Sequence, residues 1–152
     1  MPHIHEKIDF AADVFIVNEG AVLLRMHDKH KMWLAPGGHI ELDEDPEEAA
    51  LREVAEEVGI PITLVGDAPD TGEDNEKELR KPEFVNRHFV NETHEHISFV
   101  YFATSQTRET HPQEGETTDG FKWFTKEELD DASYGVKPRV RHYAKAALNA
   151  AH

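Results

Sequence analysis

Glu53, Glu56 and Glu57 stand close together in a stretch that carries the marks of a helix. Asp45 is placed to cap its start, Pro46 takes the first helical position, Glu48 completes a capping-box spacing and Gly59 marks the stop, so a helix is predicted over Pro46 to Val58. At about 100° per residue the three glutamates fall within an arc of roughly 100°. Leu51, Val54, Ala55 and Val58 lie mostly on the other side and form a face for a core. Glu53 and Glu57 are i,i+4 neighbours of like charge, which costs about 0.2–0.5 kcal/mol. Between Gly38 and Ile60 the single permanent cation is Arg52, against a further six acids at Glu41, Asp43, Glu44, Asp45, Glu47 and Glu48. A divalent cation would relieve the repulsion, and clustered carboxylate oxygens suit Mg²⁺ or Mn²⁺. A solvated acidic face has the same composition, and spacing alone does not separate the two.

The elements that must position this helix are legible on both sides of it. Phe10 to Val17 and Ala21 to Met26 are apolar runs joined by Asn18-Glu19-Gly20 and read as a β-hairpin. Met32 to Ala35 reads as a short strand that ends at the turn signal Pro36-Gly37-Gly38, with a strand resuming over His39 to Glu41. Ile62 to Val65 follows the helix as a strand. Asp67 to Lys81 is polar and aperiodic, a long surface loop. Glu83 to Val90 and His96 to Thr104 read as strands paired across Asn91 to Glu95, and Ser105 to Gly120 is a second polar loop, expected to be mobile. Phe121 to Phe124 is a short strand. Thr125 with Glu128 opens a short helix, and Pro138 opens the last one, with Val140, Tyr143, Ala144, Ala147 and Leu148 on an apolar stripe. No internal repeat or linker interrupts this order, which predicts one α+β or sandwich domain over residues 1–152.

Composition narrows the partners. The net charge of −15 argues against a general nucleic-acid binder, which needs a basic face. It leaves room for a small phosphorylated substrate, because a divalent ion can mediate between carboxylates and phosphates. With no cysteine there is no disulfide, no Cys-ligated zinc and no Cys nucleophile. No apolar run approaches the roughly 20 residues of a membrane span, and Met1 to Lys7 is too polar for a signal peptide. The expectation is a cytoplasmic protein without a membrane partner. Among the eleven histidines, His94 and His96 share one strand face, which suits a His-ligated metal less well than solvated or substrate-edge imidazoles.

Gly38, five residues, Glu44, seven residues, then Arg52-Glu53-Val54-Ala55-Glu56-Glu57-Val58-Gly59-Ile60 resembles the Nudix box at all nine specified positions. The lead-in Trp33-Leu34-Ala35-Pro36-Gly37-Gly38-His39-Ile40-Glu41 and the later Trp123-Phe124-Thr125-Lys126-Glu127-Glu128-Leu129 are also typical, so the resemblance extends over most of the chain. It implies the Nudix (MutT-like) fold, an α/β/α sandwich around a central mixed sheet, and a metal-dependent hydrolase that cleaves a pyrophosphate bond in a nucleoside diphosphate linked to another moiety. In that setting Glu56 and Glu57 are metal ligands, with the carbonyl of Gly38 or a neighbour adding another. Glu53 binds metal or orients the attacking water. Arg52, held by the loop carboxylates, keeps Glu53 in place, and Glu44 braces the loop. Many members take a further acid from a loop near the last strand, which here points to Glu116 ahead of Glu114. Arg25 ends a strand aimed at the box loop and is a candidate phosphate contact, and His39 inside that loop is a candidate substrate contact. The cofactor implied is Mg²⁺, with Mn²⁺ as the substitute. Homodimers are common in the family.

Two other readings share the resemblance. A Nudix-fold isomerase of isopentenyl diphosphate uses a cysteine, which this chain lacks. A non-catalytic nucleotide-binding or sensor protein often loses box carboxylates, which here are complete. The substrate stays open between a nucleoside triphosphate, a nucleotide sugar and a dinucleoside polyphosphate. The downstream proline of ADP-ribose hydrolases and the tyrosine of diadenosine polyphosphate hydrolases are both missing, since Glu76, Lys77 and Glu78 occupy that region.

Overall fold

Apolar residues on both faces of a strand require cover on both faces, and β1 (Ile8–Asn18) is such a strand. Phe15 and Val17 enter one core cluster, while Ala12, Val14 and Ile16 enter another on the opposite side. The computed structural model describes residues 7–27, 31–116, 118 and 120–151. Residues 1–6, on which most of the reading of a polar N-terminus rests, lie outside the described residues.

The sheet is built around a long parallel pairing of β1 with β7 (Glu95–Ser105), in register from Ile8 opposite Glu95 to Val17 opposite Thr104. All other pairings are antiparallel. β2 (Ala21–Met26) and β4 (Gly37–His39) pair with β1, and β3 (Trp33–Leu34) and β8 (Phe121–Phe124) pair with β2. β5 (Ile62–Leu64) and β6 (Phe84–Phe89) pair with β7. The β1–β2 hairpin closes with Asn18 opposite Ala21, leaving Glu19 and Gly20 as a two-residue turn with φ of 45° and 78°. Two positive φ values are what the twist of a tight hairpin demands.

Helices cover the two faces. α1 (Pro46–Glu57) lays Ala49, Ala50 and Val54, with Val58 just beyond its end, on Ala12, Val14, Ile16 and Leu23. Each buried valine contributes about 1.5–3 kcal/mol, several times the repulsion between Glu53 and Glu57, so burial decides that the helix forms. Its start carries the predicted capping box of Asp45 and Glu48 with Pro46 in the first turn. On the other face, α3 (Pro138–Ala150) sets Val140, Tyr143, Ala144 and Ala147 against Phe15, Val22, Leu24 and Phe102. The short α2 (Lys126–Leu129), capped by Thr125 and Glu128 as expected, adds Leu129 to the same cluster. The result is the predicted mixed sheet between helices.

Two expectations need correction. β4 covers Gly37–His39, not His39 to Glu41, because the two glycines let the chain lie directly on β1, opposite Asp13 and Ala12. Leu51 and Ala55 face solvent instead of the core. Small Ala49 and Ala50 take the contact because they let the helix approach the sheet closely. The loop that follows β7 touches the end of α1, where His111 N–H donates to the Val58 carbonyl at 2.7 Å and Gln113 N–H to that of Glu56 at 2.8 Å.

Candidate active site

α1 turns its glutamates toward β4 and the end of β2. Arg52, the lone cation of the segment, holds this group together. Its Nε and Nη2 donate to the two oxygens of Glu44 at 2.6 and 3.0 Å, a paired contact that suits the planar guanidinium. Nη1 reaches Glu53 at 2.9 Å and Glu56 at 3.3 Å, and Nη2 also donates to the His39 carbonyl at 3.0 Å. Glu44 in turn accepts from the Glu41 backbone N–H, which closes the loop ahead of the helix. The hydrogen bond from Arg52 holds the Glu44 carboxyl below its ordinary range, and the same bond raises Arg52.

Glu57 sits deeper. Its side chain is 6% exposed, and Arg25 Nε lies 2.9 Å from its Oε2. Gly37 N–H approaches the same oxygen at 3.4 Å. Burial pushes Glu57 up to about 8, against the pull of Arg25 and with a further push from the neighbouring Glu53. Gly38 allows the crowding: a Cβ there would stand 2.5 Å from Glu53 Oε1. At Gly37 a Cβ would run into the Ala12 carbonyl and the Asp13 side chain.

These facts bear on whether an ion would fit. The buried carboxyl of Glu57, raised to about 8, stands against that of Glu53, and Glu56 is one turn from Glu53. Hard oxygen donors in this number suit Mg²⁺ or Mn²⁺, and the buried Glu57 gains most from a cation of high charge. Arg25 and Arg52 supply part of that charge in the present arrangement.

A cleft of about 330 Å³ lies between the sheet and the start of α3, and it meets the glutamates through Arg25, which contacts Glu57, and Gly38, which lies against Glu53. Arg25, Gly37, Gly38 and His39 line it, as do His88, Phe89, Arg139 and Tyr143. The structure thus brings Arg25, Gly38, His39, Arg52, Glu53, Glu56 and Glu57 into one region. Arg25 is engaged with Glu57. The His39 ring is turned to Asp9 and His96 while its carbonyl faces Arg52. Glu114 and Glu116 are both exposed, and the Glu116 backbone N–H donates to the Gln113 carbonyl.

Asp13 escaped the sequence reading. It lines the cleft, and burial raises it to about 6, with Arg139 and Ser98 pulling down and Glu53 pushing up. The signal was an acid in the middle of the apolar run of β1. His88 and Arg139 carried no such mark, since only tertiary packing brings β6 and α3 to the same opening.

A mixed sheet between helices, with a glycine-bearing loop laid against a carboxylate helix beside a cleft, defines the class of fold. The family model of the NUDIX domain matches residues 7–146, and the chain belongs to that family. A NUDIX-family hydrolase of known structure from Clostridium perfringens is 38% identical, with a TM-score of 0.83 over 93% of this chain and 96% of that one. A probable DHNTP pyrophosphohydrolase from Lactococcus lactis subsp. cremoris is 28% identical over 106 residues, 70% of this chain. An RNA pyrophosphohydrolase from Gluconacetobacter diazotrophicus is 50% identical over 40 residues, 26% of this chain. The matched stretches span 60% and 24% of those two relatives' lengths.

Proposed function

We propose that the protein is a Mg²⁺- or Mn²⁺-dependent pyrophosphohydrolase acting on a small nucleotide-type substrate. The observation that carries this reading is the buried Glu57 carboxyl set against Glu53, with Glu56 on the same helix and joined to Glu53 through Arg52. Glu53, Glu56 and Glu57 would hold the ion, with the Gly38 carbonyl as a further donor. The ion, when bound, neutralises the pyrophosphate and lowers the pKa of a water beside it. Glu53 accepts the proton of the attacking water or orients it, and Arg52 fixes Glu53 through the bond at 2.9 Å. An ion on Glu57 would free the Arg25 guanidinium for a phosphate oxygen, and His39 and Arg139 border the same space. The volume suits one nucleotide-sized ligand. The pyrophosphohydrolase names of the two curated relatives support the reaction class.

The test is a panel of nucleoside triphosphates, nucleotide sugars and dinucleoside polyphosphates, with products identified by mass spectrometry. Mg²⁺ and Mn²⁺ are each added and then removed with EDTA. Cleavage at a phosphoanhydride bond only with metal supports the proposal. Full turnover after verified metal removal overturns it.

A further inference from the structure

A second group of metal-type donors lies on the far side of His39 from Arg52. Three strands and the turn before β7 build it. Asp9 on β1 stands beside His96 on β7 in the parallel register, and His39 on β4 is opposite Ala11, two residues along β1 from Asp9. His94 precedes His96 by two residues. Residues two apart on a strand share a face, so Asp9, His39 and His96 issue from one side of the sheet, and His94, just before β7 begins, comes within 3.2 Å of Asp9.

Their donor atoms converge. Asp9 Oδ1 is 3.2 Å from His94 Nε2 and 3.1 Å from His96 Nε2, and Asp9 Oδ2 is 3.2 Å from His39 Nε2. The Nε2 atoms of His39 and His96 are 3.0 Å apart. One potential ligand atom from each residue lies within 4.8 Å of all the others. An ion with bonds of about 2.0–2.1 Å to a tetrahedral set spaces its ligands about 3.3 Å apart, close to these separations. Hydrogen bonding explains the cluster less well. Asp9 Oδ1 is shielded from solvent, yet it receives no hydrogen bond of acceptable geometry from a described residue, although two ring nitrogens are within reach. The rings present their outer nitrogens to a common point.

We propose that Asp9, His39, His94 and His96 form a second metal site, for a zinc-class transition ion, separate from the box carboxylates. Three imidazoles and one carboxylate match zinc-class ions, whereas Mg²⁺ favours oxygen donors and retained water. The ion joins β4 to β1 and β7. Because the His39 carbonyl accepts from Arg52, it fastens the box loop from the side opposite the glutamates.

The test measures metal binding and contains no hydrolysis step, so it stands or falls separately from the proposed reaction. Metal-free full-length protein is titrated with Co²⁺, read by visible absorption, and with Zn²⁺ in competition with a chromophoric chelator. The expected result is one Co²⁺ with the intense absorption of a tetrahedral site, kept in Glu57→Gln and lost in a His94→Gln/His96→Gln double variant and in Asp9→Asn. Zn²⁺ affinity should fall at least about 100-fold in those variants. Zn²⁺ should raise the Tm of wild type and Glu57→Gln and not that of the double variant. Circular dichroism of the metal-free variants checks their folding, and Asp9→Asn serves if the double variant fails it. Absence of tight Zn²⁺ binding in wild type overturns the proposal. So does binding that Glu57→Gln abolishes and the histidine substitutions leave unchanged.

Discussion

At the scale of single residues, Glu57 and Arg52 make opposite predictions. Glu57→Gln replaces a buried ionisable carboxyl by a neutral amide of nearly the same volume, so no charge can develop there beside Glu53 as pH rises or when metal binds. Turnover should fall at least about 100-fold, equivalent to about 3 kcal/mol of transition-state stabilisation. The Tm in EDTA should be unchanged or higher. Near-wild-type turnover at limiting Mg²⁺ would remove Glu57 from the ligand set. Arg52→Ala leaves Glu44, Glu53 and Glu56 without their shared partner. Arg52 is partly exposed and solvent screens the loss, so about 1–2 kcal/mol of stability should go together with activity. Activity lost with stability intact at every pH would make Arg52 a substrate contact and not a brace. The loop acids form a weaker pair: Glu116→Gln should lower kcat more than Glu114→Gln, because Glu116 is nearer the anchored strand β8. Equal, small effects in kcat and KM would mean that this loop holds no catalytic acid.

At the scale of elements, the junction after α1 is the point where helix, loop and core meet. Gly59 has φ of +70°, and a Cβ there would strike the His111 carbonyl. The loop from Ser105 is fastened at that point, through His111 to Val58 and Gln113 to Glu56. Gly59→Ala should therefore cost about 1–3 kcal/mol, from the left-handed backbone together with displacement of the loop. Urea unfolding of the two proteins under identical conditions measures it. A loss of less than about 0.5 kcal/mol would show that the loop contact contributes nothing to stability. The start of α1 is anchored too, by Lys77 to Asp45 at 2.7 Å and Arg80 to Glu47 at 2.6 Å, so the long acidic loop grips the helix from its other end.

For the whole molecule, the two raised carboxyls couple stability to pH. Glu57 and Asp13 are raised in the folded state, to about 8 and about 6. A raised acid favours the folded state fully below its ordinary pKa and loses that contribution as pH rises through the folded value. Metal-free protein should therefore lose Tm between pH 5 and 8, and Glu57→Gln should flatten the upper part of that curve. Metal binding requires the deprotonated form, so Mg²⁺ should release about one proton at pH 7. Calorimetry in two buffers of different ionisation enthalpy counts it. A wild-type curve as flat as that of Glu57→Gln, with no proton released, would show that Glu57 is ionised in the metal-free protein. The charge of −15 adds a general preference for divalent ions near the surface.

The sequence by itself determined the parts that depend on local chemistry. The cap of Asp45 and Glu48, the stop at Gly59, the hairpin at Glu19-Gly20 and the arc of Glu53, Glu56 and Glu57 all follow from neighbours within a few residues. The box spacing carried the family for the same reason, because its loop and helix are contiguous. Tertiary structure decided what depends on contacts between distant segments. Leu51 and Ala55 have the right period for a core, but the approach of α1 to the sheet turns them outward. Arg25 reads as a candidate phosphate contact, and only the assembled sheet shows that β2 brings it to Glu57. Asp9 and His96 are 87 positions apart, and only the parallel register of β1 with β7 sets them side by side. Burial and register are properties of the assembled sheet, and no window of sequence contains them.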